Sequence, residues 1–121
     1  METIKTHHDL DVWRLAVEFA IEVYRMTNHF PIEEKFGLSN QLRRAAVSIS
    51  SNIAEGAARN HSKEFLQFLY HSLGSVAEIE TQLMIARNLG YLNDLEKNNQ
   101  TLFRLRKMLV SLIIVIRKKT V

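Results

Sequence analysis

The sequence predicts an all-α protein, an antiparallel up-and-down four-helix bundle formed by residues 1–121 as one domain. Three observations lead there. Apolar residues recur every three to four positions in four separate stretches, which is the helical period. Short polar breakers separate those stretches. Only four Gly and one Pro occur among 121 residues, which leaves little room for loops. Helices of this length joined by short connections pack as antiparallel neighbours.

The first helix is predicted from about residue 9 to 27. Asp9 or Asp11 can cap it, and Val12, Leu15, Ala16, Phe19, Val23 and Met26 form its apolar stripe. Pro31 ends it, and the connector can make a short turn through Glu33 and Glu34. The second helix, about 39–58, has Ser39 as its expected cap and Leu42, Ala45, Ile49, Ile53 and Gly56 on one face. Asn60 and Ser62 punctuate the chain before the third helix, about 63–89. Its core face is Phe65, Leu69, Leu73, Val76, Ile79 and Leu83, and Gly90 is placed to close it. Asn93-Asp94-Leu95-Glu96 reads as a capping box for the fourth helix, about 94–118. That helix carries Leu102, Leu105, Leu109, Leu112, Ile113 and Ile116.

Composition removes several chemistries. Without cysteine there are no disulfides, thiolate metal sites, iron–sulfur clusters or cysteine nucleophiles. No His has a Glu three residues before it, and no His-x-x-x-His pair occurs, so a di-metal bundle site is not expected. His7-His8 falls in a terminus expected to lack structure, and His29 reads as a loop residue. Arg25-x-x-x-His29 is one position too short for the Arg/His pair of helical-bundle ribonucleases. Ser48 and Ser75 have no His base near them in sequence, and helical serines usually bond back to the backbone. There is no Gly-rich phosphate loop. The sequence therefore predicts no enzyme, no cofactor and no metal.

The N-terminal METIKTHHDL has no apolar stretch, so no signal peptide is expected. The longest apolar run, Met108 to Ile116, is broken by Ser111 and falls short of the ~20 residues a bilayer span needs. A cytoplasmic, membrane-free location is the expectation.

Helix two is unusually apolar on its back. Glu55 is the one charged residue from Ala45 to Ala58. Opposite its core stripe lie Val47, Ser50, Ser51, Ala54 and Ala58, where a solvated helix would carry Lys and Glu. On helix three, Leu66, Tyr70, Gly74 and Ala77 also lie off the core stripe. Either these helices are the central pair of the bundle, or the surfaces meet other subunits. The second explanation predicts a homo-oligomer with Val47, Ser50, Ser51, Ala54, Ala58, Leu66 and Tyr70 at the contact. If the second hairpin turns near residues 60–61, Arg43 and Arg44 come level with Glu78. Glu80 points into the apolar sector, where an unpaired carboxylate would cost several kcal/mol. An Arg43/Arg44–Glu78/Glu80 ion-pair cluster holding the helix register is therefore expected.

Charge is distributed unevenly. Residues 1–96 hold 9 basic and 13 acidic side chains, whereas residues 97–121 hold 7 basic and none acidic. Lys97, Arg104, Lys107 and Lys118 fall within about 80° on the face opposite the apolar stripe of helix four. Arg117 and Lys119 lie at its end. Such a stripe can contact phosphates. It can also be a solvated face whose cations favourably meet the helix dipole.

A longer pattern points to a family. Phe30-Pro31-x-x-Glu34-x-x-Gly37-Leu38 is followed by Gln41-Leu42-Arg43-Arg44-Ala45-Ala46-x-Ser48-Ile49-x-Ser51-Asn52-Ile53-Ala54-Glu55-Gly56. With Leu10-x-Val12-Trp13, Arg59, Glu64-Phe65, Gly74-Ser75 and Glu78-x-Glu80-Thr81-Gln82-Leu83, this resembles the 23S rRNA intervening-sequence protein family over roughly residues 10–92. The resemblance implies a four-helix bundle that assembles into a pentamer. Some members are encoded within insertions in 23S rRNA genes. A related branch, the accessory variability determinant proteins of diversity-generating retroelements, pairs a basic pentamer with a reverse transcriptase and binds nucleic acid. Five copies of a chain with net charge +3 would carry about +15. The resulting expectation is a non-enzymatic pentameric scaffold that binds RNA or DNA weakly through helix four. The alternative is a protein-binding adaptor with no nucleic-acid role.

Overall fold

The computed structural model describes residues 6–7 and 10–120. Four helices follow in order: α1 (Asp11–Thr27), α2 (Leu38–Ala57), α3 (Ser62–Asn88) and α4 (Glu96–Thr120), with a 3-10 turn at Ile32–Glu34. Each helix packs on its neighbours in the chain and α4 closes on α1, so the four stand in a ring around one core, and the backbones of diagonal helices do not approach closely. The bundle is all-α, as its apolar period predicts, and up-and-down, as its short connections predict. Every predicted core position is buried except Leu15, Met26, Leu73 and Leu112, which are partly exposed at the edges. Among the described residues no helix is long and apolar enough to cross a membrane.

The helix ends depart from the expected local chemistry. Asp9 lies outside the described residues, and Asp11 is the first residue of α1, paired with Arg14 rather than capping. The cap of α2 is Gly37, not Ser39, which is buried. The acceptor for the Leu38 amide is the Glu34 carboxylate, at 3.0 Å, reaching forward from the connector. At the start of α4, Asp94 and not Asn93 accepts the Glu96 amide at 2.9 Å, so the helix begins two residues later than the capping-box reading places it. Gly90 does close α3. Its φ of 83° lets its amide reach Arg87 O while Tyr91 reaches back to Ala86 O, the paired bonds of a Schellman turn.

The α2–α3 seam is the most extensive contact, and small residues make it possible. A Cβ on Gly56 would stand 2.8 Å from Phe68 Cβ and 2.9 Å from Phe65 Cδ1. Ser72, fully buried, donates to Ile49 O at 2.9 Å, and Ser75 donates to Ser48 Oγ at 3.0 Å. Thus Ser72, Ser75 and Ser48 are engaged within the chain, bonding one helix to the other. His7, expected in an unstructured terminus, lies edge-on to Trp13 with ring centroids 4.7 Å apart, and His8 lies outside the described residues.

Candidate nucleic-acid interface

The expected Arg43/Arg44–Glu78/Glu80 cluster does not form. Arg43 turns to α1 instead, donating to Thr27 Oγ1 at 2.8 Å and Asn28 Oδ1 at 2.9 Å while its guanidinium lies over Tyr24. Glu80 does find an arginine, but it is Arg106 of α4, held by two hydrogen bonds. Both side chains remain more than a third exposed, so this is a half-solvated clamp between α3 and α4 and not a buried one. Glu78 accepts from Gln82, and Arg44 is exposed. Glu80 is not in the apolar sector where its helical angle put it but at the margin of the core, with its side chain 36% exposed, and helical angles carry no information on which neighbouring helix supplies its partner. Arg106 was missed, although its position one turn from Leu102 and Leu109 on the apolar side marked it.

The six predicted cations are all exposed, and none forms an ion pair among the described residues. The fold separates them into two groups. On the flank, Lys97 and Arg104 line a groove of about 490 Å³ between α1 and α4, shared with Glu18, Glu22 and Arg25. Arg25 is already bound to Glu22 at 2.6 Å. Lys107 lies in a shallower groove beside Asp11 and Met108. The other three close the last turn of α4, where Arg117, Lys118 and Lys119 follow one another. There Lys119 shares a hollow of about 280 Å³ with Arg59, Asn60, His61 and Ser62 from the α2–α3 connection. Arg59, His61 and Lys63 were missed because that connector reads first as punctuation. Its run of basic residues, Arg59-Asn-His-Ser-Lys63, was the signal.

The residues assigned to a subunit contact also divide. Val47, Ser51 and Ala58 are exposed on the back of α2, and Ala54 is partly so. Ser50 is not available: it is 9% exposed, with its hydroxyl donating to Val47 O, because its angle turns it towards the bundle. Leu66 and Tyr70 lie on the Glu80 side of α3, facing the seam with α4. Exposed Phe103, Val110 and Ile114 lie at helical spacing on the same side of α4, at 63%, 40% and 48% exposure. These three do not stand out in the sequence, because Val110 and Ile114 fall within the apolar run Met108–Ile116 and Phe103 follows Leu102, so each reads as part of the core stripe.

Among the described residues no group of His, Cys, Asp and Glu is gathered in a way that could hold a metal ion. The family model for the 23S rRNA-intervening sequence protein matches residues 8–111. The chain belongs to that family. A solved structure from Bacteroides thetaiotaomicron, described as a protein with unknown function from the S23 ribosomal protein family, is similar to it. The TM-score is 0.75 at 25% identity, covering 84% of this chain and 97% of that one. No curated protein matches the sequence. The family model reaches 19 residues beyond the resemblance carried by the motifs, into α4 as far as Ser111, and therefore stops before Arg117, Lys118 and Lys119.

Proposed function

We propose that this member of the 23S rRNA-intervening sequence protein family is a non-enzymatic homo-oligomeric scaffold, a ring of five, that binds RNA or DNA electrostatically. The observation that carries the reading is the set of unpaired, exposed cations on α4, a helix with a single acidic residue, Glu96, at its start. Phosphates are the partner such a set fits best, and the family's name associates it with ribosomal RNA.

The oligomer rests on a second observation. Two apolar patches occupy different sides of the bundle: small residues on α2 (Val47, Ser51, Ala54, Ala58) and bulky ones along α3–α4 (Tyr70, Phe103, Val110, Ile114). A head-to-tail ring needs two unlike, complementary surfaces on each subunit, whereas a two-fold dimer uses one surface twice. Small side chains on one copy would let the bulky side chains of the next approach closely. Burying both patches would also remove apolar surface that a monomer leaves in water.

Light-scattering mass and fluorescence anisotropy test the two halves separately. Ala54→Glu and Phe103→Glu are each expected to reduce the mass to that of a monomer with helicity intact. An unchanged mass in either variant rejects that patch. Binding to an RNA hairpin or to duplex DNA is expected to weaken steeply between about 50 and 200 mM salt. Absence of binding at low salt rejects the nucleic-acid function and turns attention to a protein partner.

A further inference from the structure

The cations of α4 are not equivalent in their surroundings. At the flank, Lys97 and Arg104 share their groove with Glu18 and Glu22. A phosphate approaching them meets carboxylates well inside the ~10 Å screening length at 0.1 M salt. The end of the bundle where α2 runs into α3 and α4 terminates is different. Residues 55–64 and 116–120 hold five Lys or Arg (Arg59, Lys63, Arg117, Lys118, Lys119) against two carboxylates, Glu55 and Glu64, together with His61. The one charged pair on α1 at this end, Arg14 with Asp11, is already neutralised at 2.8 Å.

Two features prepare this end for an anion. Arg59 lies over the ring of half-buried Phe68, 5.0 Å from its centroid, so its guanidinium is held in place without an acceptor consuming its donors. A cation ordered in advance loses less freedom on binding. The first turn of α3 has no side-chain cap, since His61 occupies the cap position and makes no such bond. Its amides therefore add partial positive charge beside Lys63, offset in part by Glu64 and by the carbonyl ends of α2 and α4, which terminate at the same end.

We propose that the phosphodiester backbone docks at this end of the bundle, through Arg59, His61, Lys63, Lys118 and Lys119, and that the flank cations Lys97 and Arg104 contribute little. The inference rests on the nucleic-acid reading above and assigns that reading to residues from three elements, more than half of them outside α4. In a ring whose subunits share one orientation, the basic ends would line a single rim. The contact is made to phosphates and not to base edges, so it takes RNA and DNA by the same chemistry.

The experiment compares two full-length variants with the same charge change. One carries Arg59→Gln, Lys63→Gln and Lys119→Gln; the other carries Lys97→Gln, Arg104→Gln and Lys107→Gln. Each is titrated into a labelled RNA hairpin and a labelled DNA duplex of equal length at two salt concentrations, with circular dichroism and mass checked first. The tighter probe identifies the source of the phosphates, and the criterion is applied to it. The end variant is expected to bind at least about tenfold more weakly, with the salt slope reduced by about 0.7–0.9 for each phosphate no longer neutralised. The flank variant is expected to stay within about threefold of the parent. Equal weakening, or greater weakening in the flank variant, overturns the assignment while leaving electrostatic binding intact. Failure of the parent protein to bind either probe overturns the underlying function as well. If the triple end variant does not fold, Lys63→Gln with Lys119→Gln leaves the Arg59–Phe68 stacking in place and serves the same comparison.

Discussion

The two ends of the bundle use arginine and carboxylate in opposite ways. At the end holding the α1–α2 and α3–α4 connections, polar groups are consumed by folding. Glu34 accepts the Leu38 amide with one oxygen and the Tyr91 hydroxyl with the other, at 2.8 Å, tying both connections together. Phe30 and Tyr91 pack their rings 5.4 Å apart beside this bond. Arg43 directs its donors to Thr27 and Asn28. At the other end, Arg59 and the three terminal cations of α4 meet no acceptor among the described residues. Local charge follows the same division. Residues 28–38 and 87–97 carry three Lys or Arg against four carboxylates, a net of −1. Residues 55–64 and 116–120 carry five against two, a net of +3. A cation is available to a ligand according to which acceptors the fold brings to it, and counting cations in a sequence does not reveal that.

This contrast can be broken most directly by exchanging the fates of two arginines. Arg43→Met is expected to lower stability by about 1 kcal/mol in urea denaturation, since it leaves the buried Thr27 oxygen without its donor, and to leave nucleic-acid affinity unchanged. Arg59→Met is expected to do the reverse, with stability within about 0.5 kcal/mol and affinity reduced. Two arginines with the same profile would erase the distinction between the ends.

A smaller effect is expected at the α3–α4 clamp. Glu80→Ala removes the Arg106 pair, but both groups are more than a third exposed, and a screened pair of this kind contributes about 1 kcal/mol or less. A destabilisation near 3 kcal/mol would mean that Arg106 becomes an uncompensated buried charge.

The finest test is pH. The Leu38 amide, and then the Tyr91 hydroxyl, hold the Glu34 carboxyl below its ordinary value of 4.5. Its contribution to stability is therefore complete above about pH 4.5 and lost as pH falls through the lowered value. The bond to Glu34 raises the Tyr91 hydroxyl above 10.0, so its contribution is complete below pH 10.0 and lost as pH rises. Thermal melts of Tyr91→Phe are expected to flatten the alkaline limb and retain most of the acid limb. Glu34→Gln is expected to flatten both. An acid limb unchanged in Glu34→Gln would show that the tie does not contribute to the stability of this end.

Much of the architecture is legible in the sequence. The stripes through Ala16, Phe19 and Val23, through Ile49 and Ile53, and through Leu102, Leu105 and Leu109 are buried as their spacing requires. Gly90 closes α3 as its residue type suggests. The helix starts are less legible, because a carboxylate that caps from four residues upstream, as Glu34 does, has no fixed offset in sequence. Side-chain partners are the least legible. Glu80 needs an arginine, as its helical angle indicates, but the partner stands on α4. The connector basic residues Arg59, His61 and Lys63 gain their meaning only when the end of α4 is brought beside them.

The sequence by itself determined which residues face inward, because helical periodicity and burial depend on neighbours three and four positions away along one chain. Family membership was legible for a related reason, since its motifs are contiguous. Only the tertiary structure decided which charges are engaged and which remain free. Ion pairing between helices depends on distances of about 3 Å between elements far apart in sequence, and hydrophobic spacing does not encode those distances. Arg43 facing α1, Glu80 facing Arg106 and Arg59 left without an acceptor all follow from how four similar helices are turned about their axes.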